Sequence, residues 1–356
     1  MKIGIIGLKN SGKTTIFNAL TGLNADTAMY SAGKIEPNLG IVEVKDPRIT
    51  KLTELYEPQK TVYANIEFID FIGLSGSQEK KDLFSSESMA LIKTADALAV
   101  VLRNFSNEFD TSDPDPVTDL NNIISELIIS DLIIAEKRLE KINLSLKRGI
   151  RDNFLKLEEN ALNKIIEGLN EGLSCANIDL THEDLKAVKG FQFITLKPLM
   201  VILNSDESTF RNSNEVVEKI SQKYNVIEFA GKFEEELNNL SPDEAKEFME
   251  DMNLNDSARD RLTRFAYDLL GYISFFTVGK DEVRAWTITE GTTAVEAAGK
   301  IHSDLARGFI RGECFTYDDL IREGSEKALK EKGLFRLEGK NYLVKDGEIL
   351  HIRFNV

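Results

Sequence analysis

Cysteine is all but missing from this chain of 356 residues. The two present, Cys175 and Cys314, are widely separated and in no ligand spacing. A disulfide framework and a cysteine-based zinc site are therefore excluded, and the usage suits a reducing compartment. Histidine is also scarce: His182, His302 and His351 stand apart from one another and from any cysteine, so each reads as structural rather than as a ligand. No stretch approaches the roughly 18 consecutive apolar residues of a bilayer-spanning helix. The N-terminus, Met1-Lys2-Ile3-Gly4-Ile5-Ile6-Gly7, has too little apolar length for a signal peptide, so a cytoplasmic chain without membrane contact is expected. Basic residues are in deficit, 44 Lys+Arg against 59 Asp+Glu, for a net charge of -15. That balance argues against a broad nucleic-acid or anionic-membrane surface but leaves room for a local basic patch. The length accommodates two or three domains with sizeable cores.

What is present is a phosphate-binding signature. Residues 7–14 read Gly7-Leu8-Lys9-Asn10-Ser11-Gly12-Lys13-Thr14, fitting G-x-x-x-x-G-K-[ST]. Ile3, Ile5 and Ile6 before it suggest a short buried strand, and Thr15-Ile16-Phe17-Asn18-Ala19-Leu20 after it has helical spacing. Strand, glycine loop and helix together form an anion cradle, because loop amides and the helix N-terminus supply partial positive charge. In such a loop Lys13 reaches the β- and γ-phosphates and the Thr14 hydroxyl ligates Mg²⁺.

A second metal-holding group is expected at the end of a later buried strand. Ile66-Glu67-Phe68-Ile69-Asp70-Phe71-Ile72-Gly73 supplies Asp70, with Gly73 at the D-x-x-G spacing where a backbone amide can approach the γ-phosphate. The plainer reading of that pair is a capping aspartate and a turn glycine. A further apolar strand, Pro198-Leu199-Met200-Val201-Ile202-Leu203, leads into Asn204-Ser205-Asp206-Glu207. Guanine readers use N-K-x-D at such a place, where the Asp accepts from guanine's ring N–H and amine. Ser205 and Glu207 stand in place of that Lys and Asp, which makes a poor guanine site.

With these residues in view, the chain resembles the YchF-type Obg-like ATPases, a family of translation-factor-class P-loop proteins. The resemblance is carried by the loop at 7–14, by Ile35-Glu36-Pro37-Asn38 with Gly40, by Asp70 with Gly73-Leu74, and by Thr195-Leu196-Lys197-Pro198. It continues through Asn204 and Glu207, Val283-Arg284-Ala285-Trp286-Thr287, Gly308-Phe309-Ile310-Arg311 and the ending His351-Ile352-Arg353-Phe354-Asn355-Val356, and so spans essentially the whole chain. It implies an α/β architecture: a Ras-like P-loop NTPase domain with an inserted antiparallel helical hairpin and a C-terminal β-grasp TGS domain. The expected boundaries are 1–115 and 174–273 for the nucleotide domain, 116–173 for the hairpin and 274–356 for the TGS domain.

The resemblance further implies preference for ATP over GTP, slow Mg²⁺-dependent hydrolysis and association with ribosomes. Gly7, Leu8, Lys9, Asn10, Ser11, Gly12, Lys13, Thr14 and Thr15 would hold the phosphates, Thr14 and Asp70 the metal, and Lys13, Thr14, Asp70 and Gly73 would serve catalysis. Asn204, Glu207 and the Ala230-Gly231-Lys232 stretch would read the base, and Asn10 stands where related loops help hold a potassium ion. Leu74 replaces the water-positioning Gln of Ras-like proteins, as in the wider group.

Three departures mark the chain as a divergent paralogue. Lys34 replaces the switch Thr before I-E-P-N, and an ammonium cannot ligate a cation. The stretch Ser75-Gly76-Ser77-Gln78-Glu79-Lys80-Lys81-Asp82-Leu83-Phe84 holds one glycine where the family has a glycine-rich second switch. Lys9 replaces the loop proline, adding a charge beside the phosphates. Two alternatives therefore stand beside the ATPase: a GTPase of the Obg class, and a non-hydrolysing, nucleotide-gated ribosome- or RNA-binding module.

Beyond Asp113-Pro114-Asp115-Pro116 the pattern is helical to about residue 172, with Gly149 at a bend, which reads as an antiparallel coiled-coil hairpin. Residues 136–156 carry seven basic positions (Lys137, Arg138, Lys141, Lys147, Arg148, Arg151, Lys156) against three acidic ones, making this tip the expected contact for ribosomal RNA. The plainer reading is a solvated helix face. From Ser274 the pattern turns to short strands and one helix starting near Thr293. That module is close to neutral and is no electrostatic RNA clamp, which leaves a contact with a protein or with the ribosomal surface open to it. A monomer is expected.

Overall fold

A computed structural model describes residues 1–23, 25, 37–71, 84, 86–106, 113–150, 152–251, 254 and 256–355. Lys34, Gly73, Leu74, the second-switch stretch 75–83 and Arg151 lie outside the described residues. The chain begins β1 (Lys2–Ile6), α1 (Lys13–Thr21), β2 (Asn38–Glu43), α2 (Pro47–Tyr56), β3 (Lys60–Val62), β4 (Asn65–Asp70), α3 (Ser86–Ile92) and β5 (Ala97–Asn104). It continues α4 (Pro116–Lys147), α5 (Asn153–Asn170), α6 (His182–Val188), β6 (Leu199–Ser205), α7 (Asn214–Ser221), β7 (Asn225–Ala230), α8 (Gly231–Leu237), α9 (Pro242–Asp251) and α10 (Ala258–Leu269). The last elements are β8 (Tyr272–Thr277), β9 (Glu282–Thr289), α11 (Ala294–Ile301), α12 (Ser303–Arg307), β10 (Phe309–Thr316), α13 (Tyr317–Glu323), α14 (Glu326–Glu331), β11 (Arg336–Glu338) and β12 (Glu348–Phe354).

Two compact units result, one of Met1–Ile41 with Glu67–Arg259, the other of Val42–Ile66 with Asp260–Val356. The first is built on a sheet in the order β2-β4-β1-β5-β6-β7. β1 pairs in parallel with β4 and β5, and β5, β6 and β7 continue in parallel. Every residue of β5 is buried, the continuous apolar pattern of a strand covered on both faces. Parallel register brings the strand ends together: Ile5 faces Asp70, Asn104 faces Ser205, and Ser205 faces Ala230. The C-terminal edge of such a sheet is where ligands bind in α/β folds.

The hairpin forms as two helices, with Gly149 at φ 83° between them. Asp115 and Asp152 cap their N-termini by accepting from the amides of Thr118 and Phe154. The expected separate domain is instead part of the first unit. Leu120, Ile123 and Leu127 of α4 share one apolar cluster with Val100 and Leu102 of β5 and Leu203 of β6. Asp131, fully buried in α4, accepts from the amides of Ile194 and Thr195 and from the Thr195 hydroxyl at 2.7–2.9 Å, anchoring the helix to the segment entering β6.

In the second unit a mixed sheet runs β11-β10-β12-β8-β9-β3. One face packs on α11 through Phe275, Ile288, Ala294, Ala297, Ala298 and Leu350. Residues 42–66 and 260–273, expected within the nucleotide domain, cluster with this unit. The cause is non-local pairing: Lys60–Val62 lie parallel to Glu282–Arg284. Arg48 of α2 binds Asp346 at 2.6 Å and lies over the Phe276 ring. Among the described residues no helix is long and apolar enough to cross a membrane.

Candidate nucleotide site

The loop between β1 and α1 closes tightly. Gly12 has φ 87°, and a Cβ there would fall 2.1 Å from Asn204 Nδ2. Glycine is thus required twice over, by conformation and by space. Asn10 has φ 62°, a conformation tolerated by asparagine better than by most side chains. Lys13 Nζ donates to the carbonyls of Gly7 (3.1 Å) and Leu8 (2.8 Å). Burial lowers its pKa to about 8, opposed by the attraction of Asp70.

Thr14 and Asp70, read from separate motifs, meet directly: the Thr14 hydroxyl donates to Asp70 Oδ2 at 2.8 Å. The Asp70 carboxyl is fully buried, and that burial raises its pKa against the opposing effects of Thr14, Lys13 and Asn38. Its Oδ1 and Nδ2 of Asn38 are both buried: Asn38 stands close enough to favour the charged carboxylate, but neither atom has a partner of ordinary hydrogen-bond geometry among the described residues. A buried carboxylate oxygen of this kind, beside a threonine hydroxyl, is the donor set a Mg²⁺ ion takes. The residues present therefore fit the expected metal. Asn38 had been noticed only as part of a matching motif, and its place near Asp70 is a through-space fact.

Asn204 is buried and bridges two loops: Nδ2 donates to Ser11 O at 3.0 Å, and Oδ1 accepts from Gly231 N at 3.1 Å. Gly231 also admits Asn204, since a Cβ there would sit 2.5 Å from Oδ1. This explains the glycine in Ala230-Gly231-Lys232: Ala230 ends β7 buried, Gly231 meets Asn204, and Lys232 is exposed. Glu207 is exposed in the turn after β6. Its neighbour Asp206 is engaged with Ser208 and Thr209. Burial works to raise the Asp206 pKa, but those hydrogen bonds hold it below the ordinary value.

Sequence reasoning missed a polar cluster at these strand ends. Asn104 Nδ2 donates to Ser205 and Ser213, and the Ser205 hydroxyl donates to Glu228 Oε1 at 2.6 Å. Ser205, where a guanine reader has lysine, is thus a structural residue of the β5–β6–β7 edge. Phe105, half-buried after β5, brings its ring to 3.9 Å from a Cβ built on Gly12. On the other flank of the loop, Leu8, Lys9, Ser11, Arg103, Asp113, Asp115 and Asp119 line a cavity of about 150 Å³. Thr15 is half-buried at the start of α1.

Among the basic positions of the hairpin, Lys137, Lys141, Lys147, Arg148 and Lys156 are exposed. Arg138 departs from the expectation. It grips Glu158 across the hairpin with two bonds of 2.7 and 2.8 Å and lies over the Phe191 ring.

Sequence comparison over nearly the full length matches these features to known proteins. The chain is 39% identical to the Ribosome-binding ATPase YchF of Bacillus subtilis, covering 99% of both chains. The chain belongs to the YchF family. The Escherichia coli O157:H7 YchF, also called a ribosome-binding ATPase, is 36% identical over 100% of this chain and 99% of its own. The model of the family described as "50S ribosome-binding GTPase" matches residues 2–138. That of the YchF-GTPase C-terminal family, described as a protein of unknown function (DUF933), matches residues 272–355. The solved Schizosaccharomyces pombe YchF GTPase superposes with a TM-score of 0.85 at 30% identity, covering 99% of this chain and 97% of that one. A Pyrococcus horikoshii GTP binding protein, 18% identical with a TM-score of 0.62 over 100% of both chains, shares the fold. As a YchF family member, the chain carries the P-loop α/β fold together with the family's C-terminal region.

Proposed function

We propose that the chain is a slow, Mg²⁺-dependent ATPase of the cytoplasm whose nucleotide state governs association with the ribosome. The observation that carries this reading is the meeting of Lys13 and Thr14, at the start of α1, with Asp70 at the end of β4, its Oδ1 buried and without a partner of ordinary hydrogen-bond geometry among the described residues. Thr14 and Asp70 would hold Mg²⁺, which when bound neutralises phosphate charge and orients the γ-phosphate for attack by water. Lys13 would exchange its bonds to the Gly7 and Leu8 carbonyls for phosphate oxygens. The amides of residues 8–15 would add partial positive charge at the helix N-terminus. Gly73 would contribute a backbone amide.

ATP is favoured over GTP because the guanine-reading Lys and Asp are absent. Ser205 is tied to Glu228, while exposed Glu207 remains available to the base. Asn204 would act by positioning, holding the phosphate loop against the loop at 230–232. The names of the full-length relatives support the ribosomal partner, and the exposed lysines of the hairpin tip offer it a basic surface. The C-terminal unit, as a β-grasp module of the TGS type, would take a protein contact. A monomer is consistent with this scheme.

Equilibrium titration with labelled ATP and GTP tests the specificity: tighter GTP binding by tenfold or more would sink the ATP assignment. Co-sedimentation with ribosomes, with and without a non-hydrolysable ATP analogue, tests the partner and its dependence on nucleotide together. Single-turnover assays that release no phosphate above background would favour the non-hydrolysing module.

A further inference from the structure

Lys9 stands in the phosphate loop between half-buried Leu8 and exposed Asn10. Its side chain is exposed and makes no hydrogen bond or ion pair with the described residues. Yet it lines the cavity beside the loop with Asp113, Asp115 and Asp119 at the beginning of α4, and with Arg103. Asp115 is engaged as the cap of that helix, and Arg103 and Asp119 are engaged as well. Ser11, 2% exposed, lines the same cavity, its hydroxyl without a partner among the described residues. Lys13, by contrast, is folded back onto two loop carbonyls. The loop therefore carries one anchored ammonium and one movable ammonium.

We propose that Lys9 is a second phosphate-contacting cation, its free ammonium turning from the cavity it lines to the terminal phosphate of a bound nucleoside triphosphate. The inference rests on the nucleotide reading above. A flexible ammonium is a point charge that needs no fixed approach geometry, so a short swing within its own loop suffices. Positive charge at the transferring phosphoryl group is the largest lever in this chemistry, whether it comes from the same chain or from a partner. A nucleoside diphosphate lacks the group Lys9 reaches, so Lys9 discriminates triphosphate from diphosphate.

The test uses the full chain and its Lys9→Gln and Lys9→Arg variants, each checked by thermal melting. Lys9→Gln should weaken ATP binding about tenfold or more while changing ADP binding less than threefold, and should slow single-turnover phosphate release about 10- to 100-fold. Lys9→Arg should keep the preference for ATP over ADP. An unchanged ATP-to-ADP affinity ratio in folded Lys9→Gln would overturn the proposal. If the unaltered chain binds neither nucleotide, the nucleotide reading falls and takes this inference with it.

Discussion

Raising the pH from 7 to 9.5 should weaken nucleotide binding about thirtyfold through a single side chain. Lys13 carries a pKa of about 8, lowered by burial and only partly restored by Asp70. Bound phosphates favour the ammonium and return its pKa to the ordinary lysine range, so binding above pH 8 must take up a proton. Affinity then falls about twofold at pH 8 and about thirtyfold at pH 9.5, or about 2 kcal/mol. The effect on folding has the opposite sign. Unfolded, Lys13 titrates at its ordinary 10.5, so between pH 8 and 10.5 the unfolded chain binds more protons. The Lys13 contribution to stability therefore rises with pH across that window. Below it, the desolvated ammonium costs about 3 kcal/mol.

Titrations of a fluorescent ATP analogue with Mg²⁺ at pH 7, 8 and 9.5 read the affinity. Calorimetry in two buffers of different ionisation enthalpy counts the proton. Lys13→Arg keeps a cation that does not titrate in this range, so its profile should be flat whatever its absolute affinity. The reasoning is refuted if the unaltered chain holds its affinity within threefold from pH 7 to 9.5, or if no proton is taken up near pH 9.

Asp70→Asn keeps an acceptor for the Thr14 hydroxyl but removes the negative charge that Oδ1 shares. The gain in ATP affinity on adding Mg²⁺ should therefore disappear while the melting temperature is retained; an undiminished Mg²⁺ effect would remove Asp70 from the metal site. Asn204→Ala strands the Ser11 carbonyl and the Gly231 amide, both at buried atoms, and should cost about 2–4 kcal/mol in urea denaturation. A loss below about 0.5 kcal/mol would mean the loops are held otherwise. Arg138→Ala leaves the Glu158 carboxylate buried without its partner, a loss of about 3–5 kcal/mol readable as faster hydrogen exchange in α4 and α5. Combining it with Glu158→Leu should recover most of that loss, and failure to recover would point to packing over Phe191 instead.

The legible parts of this chain were those whose signals are local. A glycine loop between an apolar strand and a helical run can be read within residues 3–20, and two long stretches of helical periodicity around Gly149 yield the hairpin directly. What escaped depends on partners distant along the chain. Lys60-Thr61-Val62 has no pattern of its own and is a strand because β9 lies beside it. Arg138 looked like one more surface cation, since Glu158 lies on the other helix and only antiparallel packing reveals the pair. Asn204 was legible as a residue of the site but not in its task, because its donor and acceptor are occupied by atoms 193 and 27 residues away.

The same distinction clarifies how an acidic chain of net charge -15 can hold a polyanion. The site does not depend on a positive surface. Lys13 and Asp70 are both desolvated, and each has its charged form disfavoured by burial. Neither finds full compensation from the other, since Lys13 bonds to loop carbonyls and Asp70 to Thr14 with help from Asn38, one carboxylate oxygen having no partner of ordinary geometry among the described residues. A metal-bound triphosphate would supply both deficits at once, a cation for Asp70 and anionic oxygens for Lys13. Either component alone would meet one deficit and leave the other. Binding of nucleotide and metal should therefore be mutually reinforcing, and by linkage the increase in ATP affinity on adding Mg²⁺ must equal the increase in Mg²⁺ affinity on adding ATP.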